Sequence, residues 1–300
     1  YVEGSSLDRF AAGELALRPV RRQRIGLLLD AGIEPELRQR HLQVADGCRA
    51  TLGLEIGPVV ITDAPLEVTL SLGASGVSWG ELGCPEALLR AGRQLQAAGA
   101  TAIAVVARFP DDPDSEALTA YRQGSGVDAL AGAEAVISHL LSLELGLPCA
   151  HAPALSPLPL DPLLDPRAAG EELGHTFLAC VLVGLSRAPD LIPQMLDGQG
   201  AGVAAAGLRP GDLAADMLGA VVAPAAALGG AAVLACAERG IPVIAVDNPC
   251  LLAVSAEALD LEVIPAASYS EAAGLLLALR EGISPAALRR PIPALQAPAP

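Results

Sequence analysis

Residues 101–107 read TAIAVVA, and residues 108–128 continue RFPDDPDSEALTAYRQGSGVD. The first stretch is an unbroken apolar run with no alternation of polar residues, the pattern of a strand covered on both faces in a parallel sheet. A helical pattern follows at 127–145, with Asp128 placed as its N-cap and Gly146 as its stop. The connection between strand and helix is far longer than the roughly 2–6 residues such a link needs, and connections of that length are often functional.

The same alternation extends in both directions. Residues 25–30 (IGLLLD) and 59–63 (VVITD) read as strands that each end in an acid, with helices at 35–54 and 85–98 after them. A further strand begins at 149–151. Residues 180–185 (CVLVGL), 219–223, 243–247 (VIAVD) and 262–264 also read as strands, with helices at 231–239 and 270–280. Alternating strands and helices predict an α/β fold with a mostly parallel, Rossmann-like sheet and helices on both faces. Six prolines within 148–166 predict either a linker between two lobes, 1–155 and 156–290, or a rigid loop framing a cleft. The Pro/Ala-rich residues 291–300 are expected to form a disordered tail.

Composition narrows the function. The chain has 300 residues, a net charge of −15, 34 acidic against 19 basic residues and 2% aromatics. That balance repels a phosphate backbone and offers few stacking platforms, so nucleic acid is not an expected partner. Every cation is Arg, which excludes a Schiff-base or Walker lysine. The six cysteines are scattered without a CxxC pair, and no basic stretch precedes an apolar signal-like core, so a reducing, cytoplasmic setting is expected. The uncharged 217–237 segment is Ala/Gly-rich and broken by Pro224 and Gly229-Gly230, so no membrane span is expected.

Ligands of open parallel sheets bind at the carboxyl ends of the strands. Asp30, Asp63, Arg108, His151, Ser186-Arg187 and Asp247-Asn248 each follow a predicted strand. Within 108–128, Arg108 and Arg122 are candidate anion clamps. Asp111, Asp112 and Tyr121 are candidate catalytic groups, and Gly124, Gly126 and Asp128 would lead an anion to a helix N-terminus. His151 is the best placed histidine for acid–base work, with Ser156 beside it in the same cleft. Gly229 and Gly230 form a weaker second candidate before a helix. His41 and His139 lie in predicted helices. Cys250 is a minor nucleophile candidate, and His175 falls at the wrong edge of a parallel sheet. Asp111, Asp112, Asp114 and Glu116 are also possible metal ligands or bases, but the four histidines show neither an i, i+4 pair nor an HExxH motif, so no metal site is assigned, and the cofactor is not readable from the sequence.

Several long motifs carry a resemblance: YVEGSSLDRFAAGE at 1–14, LLLDAGIEPELRQRHLQVADGCRATLG at 27–53, VVARFPDD at 105–112, YRQGSGVDALAGAEAVISHL at 121–140, PCAHAPALSPLPLDP at 148–162 and VLVGLSRAP at 181–189. The chain resembles a family of uncharacterised proteins from cyanobacteria and plant plastids, a domain of unknown function. Some of its plant members carry the label lipid-A-disaccharide synthase. The resemblance implies a plastid-stroma location in plants and an additional upstream strand with a Gly-rich turn, absent from the N-terminal lobe here. Residues 229–248 (GGAAVLACAERGIPVIAVDN) are similar to the nucleotide-sugar lobe of two-lobed glycosyltransferases. They lack an acid early in the helix and carry Glu238 at its end. The expectation is therefore an enzyme that binds a small anionic metabolite. The alternatives are a glycosyltransferase-like enzyme using Gly229-Gly230 and a non-catalytic binding or assembly protein. The oligomeric state is not readable from the sequence.

Overall fold

Ile25, Leu27, Leu28 and Leu29 are fully buried, and so is every residue from Ala102 to Ala107. Burying each large aliphatic side chain contributes about 1.5–3 kcal/mol, which drives these two runs to the centre of a sheet covered on both sides. A computed structural model describes residues 1–73, 76–172, 176–194, 208–249 and 252–296.

The chain begins with α1 (Gly4–Ala11), β1 (Leu15–Arg18), β2 (Ile25–Leu29), α2 (Pro35–Leu52) and β3 (Ile56–Ile61). A hairpin of β4 (Val68–Leu72) and β5 (Ser78–Leu82) comes next, then α3 (Pro85–Ala97) and β6 (Ala102–Arg108). After these lie α4 (Glu116–Arg122), α5 (Ala131–Leu145), β7 (Cys149–Ala154), α6 (Ala169–Glu172), α7 (Leu178–Leu185) and β8 (Asp190–Pro193). The remaining elements are β9 (Val221–Pro224), α8 (Ala231–Glu238), β10 (Val243–Val246), α9 (Ala256–Leu259), β11 (Ile264–Ala266) and α10 (Tyr269–Arg280).

The protein is α/β. Its main sheet has the order β3-β2-β6-β7 with every neighbour parallel. Helices α2 and α7 cover one face, and α3 and α5 cover the other. From β2 the chain moves to β3 on one side, then returns to β6 on the other. The carboxyl ends of β2 and β6 are thus a topological switch point, where open α/β sheets leave a crevice for ligands.

The chain divides into two compact units, Tyr1–Arg9 with Glu14–Leu213, and Phe10–Gly13 with Ala214–Pro300. The Pro-rich stretch expected at the lobe boundary falls inside the first unit, as β7 and the loop after it. The second unit holds a parallel sheet of order β11-β10-β9, with α8 and α9 on one face and α10 on the other. Residues 297–300 of the tail, His175 and Cys250 lie outside the described residues. No described helix is long and apolar enough to cross a membrane.

Some expectations change. Residues 180–185 belong to helix α7, which buries Leu178, Leu182 and Leu185 at a helical spacing and leaves Val183 exposed. Strand β7 runs on to Ala154, which puts His151 inside it, opposite Val105, instead of after it. Helix α5 begins at Ala131 with Leu130 as its N-cap, and Asp128 accepts the Leu130 N–H at 2.9 Å from outside the helix.

Asp30 follows β2 and is 1% exposed. Its Oδ1 accepts the backbone N–H of Gly32 at 2.8 Å and of Leu66 at 3.0 Å. Its Oδ2 accepts that of Arg108 at 3.0 Å. One buried carboxylate thus ties the ends of β2 and β6 to the loop that leads into the hairpin. Asp30→Ala leaves three N–H groups without this acceptor and is expected to cost about 3 kcal/mol or more, with Asp30→Asn intermediate. Urea denaturation measures this, and a loss below about 1 kcal/mol for the alanine variant would contradict the role.

Candidate functional site

Arg108 ends β6 with its side chain mostly buried against acceptors from three directions. Its Nε donates to Glu34 Oε2 at 2.9 Å, and its Nη2 donates to Asp111 Oδ2 at 2.6 Å and to Ser156 Oγ at 3.5 Å. Its Nη1 donates to Asp111 Oδ1 and to the carbonyls of Phe109 and Ala154. Asp111 also accepts Ser156 N–H at 2.9 Å and the Ser156 hydroxyl at 2.7 Å. The Arg108 guanidinium holds the Asp111 carboxyl down to about 2, with the Ser156 bonds adding to the effect. It lowers Glu34 as well. This network joins the start of α2, the end of β6 and the loop after β7.

Beside it lies a cavity of about 360 Å³. Its walls come from the hairpin (Leu70, Ser71, Leu72), the segment from Pro110 to Leu130, and Leu155 to Leu158. Leu118, Tyr121, Leu130, Leu155 and Leu158 make it largely apolar, and Asp111, Asp112 and Asp128 supply the acids. The hairpin can form one wall because two glycines let it lie on α5. A Cβ at Gly132 would strike the backbone of Ser78 and Trp79, and one at Gly80 would strike Thr69 and Ala133. Burial pushes Asp128 up, against the opposing effect of the Leu130 N–H. Asp111 and Asp128 are therefore tuned in opposite directions within one cavity, and Asp128 is the more readily protonated of the two.

Residues 1–289 match the family described as protein of unknown function (DUF3326). The chain belongs to this family. It is also 54% identical over 289 residues to an uncharacterized lipoprotein of Synechococcus sp., covering 96% of this chain and 77% of that one. No solved structure matches the chain.

In this DUF3326 chain the cavity gathers Asp111, Asp112, Tyr121, Asp128 and Ser156 from the predicted site, with Arg108 behind Asp111. The other predicted residues lie elsewhere. Arg122 donates to the Pro159 carbonyl at 2.6 Å. Gly124 and Gly126, with φ of 80° and 76°, form the turn after α4, several residues before α5 begins. The Ser186 carbonyl accepts from Gln23 N–H, which precedes β2, so Ser186 sits toward the amino edge of the sheet and exposed Arg187 follows it. Asp63 forms a bidentate pair with Arg90. Gly229, Gly230 and Asn248 belong to the second unit. There Gly229 packs against Val254, a Cβ at Gly230 would meet open space, and Asn248 donates to the Tyr269 hydroxyl at 3.1 Å. Among the described residues no cluster of His, Cys, Asp or Glu is arranged to hold a metal. Leu70, Ser71, Leu72, Leu130 and Leu158 are absent from the sequence prediction. The alternation of Val68, Leu70 and Leu72 with Thr69 and Ser71 is the signal that announces the hairpin.

His151 faces α5, away from the cavity lining. Its Nδ1 lies 2.9 Å from Ser138 Oγ, and its Nε2 lies 3.8 Å from Glu134 Oε2. Ser138 is 1% exposed in mid-helix, out of reach of a substrate, so this Ser–His–Glu grouping is a packing contact between α5 and an edge strand. Burial lowers His151 to about 4, opposed by the nearby charge of Glu3. The folded state therefore holds a neutral imidazole that the unfolded chain would protonate below its ordinary value near 6.5. Stability is complete above that value and is lost as pH falls toward 4. The loss approaches about 3 kcal/mol. His151→Gln, which keeps a partner for Ser138, is expected to flatten the profile between pH 6.5 and 4 in urea titrations. An unchanged profile would contradict the assignment.

Proposed function

We propose that this DUF3326 chain binds a small, predominantly apolar molecule in the cavity at the carboxyl edge of the four-stranded sheet. The observation that carries this reading is the lining. Six leucines and Tyr121 surround a volume in the range that holds small ligands, with a few polar groups at fixed points. Its position beside the switch point supports the same reading.

The anionic metabolite expected from the sequence fits less well. Arg108 already donates to Glu34, Asp111 and Ser156, and no cationic side chain is among the described lining residues. The glycosyltransferase alternative rests on the likeness of residues 229–248, and helix α8 there carries no acid in its first turn. If the protein is an enzyme, Asp112, Asp128 and Tyr121 are the lining groups that could move a proton to or from a bound ligand.

N-phenyl-1-naphthylamine, a neutral probe that brightens in apolar surroundings, tests this reading. It is expected to bind the full chain saturably. Leu118→Trp fills the cavity and should weaken binding at least tenfold, an amount equal to about 1.4 kcal/mol. Leu160→Trp, at a fully exposed position outside the lining, should leave binding unchanged. Equal affinity for both variants would place the probe elsewhere and overturn the reading.

A further inference from the structure

The apolar walls define the body of a ligand, and the charges define its head. Three carboxylates line the cavity, and among the described residues no Arg or His does. Asp111 is already matched by Arg108 and by two bonds from Ser156. Glu34 shares the same guanidinium, so the Glu34–Arg108–Asp111 group keeps a net negative charge. Asp112 is exposed and has no cationic partner among the described residues.

Asp128 differs from both. It is partly buried, and among the described residues its carboxylate has one hydrogen bond, from Leu130 N–H to Oδ1. Its second oxygen has no protein donor among the described residues. The groups lining the cavity with it are Asp111 and Asp112 from the loop after β6, Tyr121 from α4, Ser71 from the hairpin and Ser156 from the loop after β7. None of these is a cation. A carboxylate partly stripped of water among leucines is stabilised most by an opposite charge placed a few ångströms away, because the low local dielectric strengthens that attraction.

We propose that the cavity selects molecules that join a hydrocarbon body to a protonated amine, with Asp128 as the counter-ion of the ammonium. This rests on the cavity reading above. An ammonium has three donors, so it can engage the open oxygen of Asp128 and still reach a second acceptor such as Tyr121 or Ser71. A ligand with a terminal carboxylate meets the negative charges of Asp111, Asp112 and Asp128 there. Burial raises Asp128 above the ordinary carboxylate range, so amine binding weakens as pH falls through that raised value, while binding of a neutral ligand does not.

Competition against N-phenyl-1-naphthylamine on the full chain, with decylamine, decanol and decanoate below their micellar concentrations at neutral pH, tests the proposal. Decylamine is expected to displace the probe at a concentration at least tenfold lower than decanol, with decanoate weakest. Asp128→Asn should keep probe affinity within twofold and cut the advantage of the amine to under threefold. Asp114→Asn, an exposed acid outside the lining, should leave that advantage intact and so separates Asp128 from the general attraction of an acidic protein. Decanoate competing as well as decylamine, or an advantage that survives Asp128→Asn, would overturn the amine assignment while the cavity reading stands. Failure of the probe to bind the unmodified chain would overturn both.

Discussion

The carboxylate of Asp30 holds the carboxyl edge of this protein together. Three backbone N–H groups from separate parts of the chain converge on it: Gly32 just after β2, Leu66 on the way into the hairpin, and Arg108 at the end of β6. Water cannot replace that acceptor at a site this buried, so the three segments are fixed relative to one another. The backbone position of Arg108 then fixes its guanidinium, which gathers Glu34, Asp111 and Ser156. Two linked polar centres, one on each side of the Arg108 Cα, therefore set the frame on which the cavity is built.

The cavity follows from the topology. Parallel strands with crossovers on opposite faces leave their connecting segments diverging at the switch point. Here the opening is walled by the hairpin on one side and by the long connection after β6 on the other. The close approach of hairpin to helix at Gly80 and Gly132 sets where that first wall stands. The result is an apolar recess rimmed by acids, a chemical character different from the anion clamp that two arginines in one loop suggest.

The central strands were readable because their signal is local. Apolar runs at 25–29 and 102–107 belong in a doubly covered sheet whatever the rest of the chain does. Residues 180–185 were not, since a short run rich in Val and Leu satisfies both a strand and a buried helix turn. Only the packing of Leu178, Leu182 and Leu185 on the sheet separates the two. His151 illustrates an error of register. Pro153 looks like a strand breaker, yet β7 is an edge strand, where a missing N–H is tolerated, and the strand passes through it to Ala154. Five candidate cavity residues came from one long connection and the loop after β7, where unusual length and acid content are visible. Asp111 lies three residues from Arg108 in the same segment, but the pairing of Arg108 with Glu34 and Ser156 was not visible, because these lie 74 and 48 residues away in sequence.

This edge is a preformed frame, set before any ligand arrives. Native-state hydrogen exchange of the unliganded full chain tests that directly at the backbone amides of Gly32, Leu66 and Arg108. Although Gly32 and Leu66 lie in loops, all three are predicted to exchange only through global unfolding, at the rate of the central amides of β2 and β6. Exchange of Leu66 and Arg108 at the rate of exposed loop amides would show that Asp30 does not hold them, and the frame that positions the cavity would not exist.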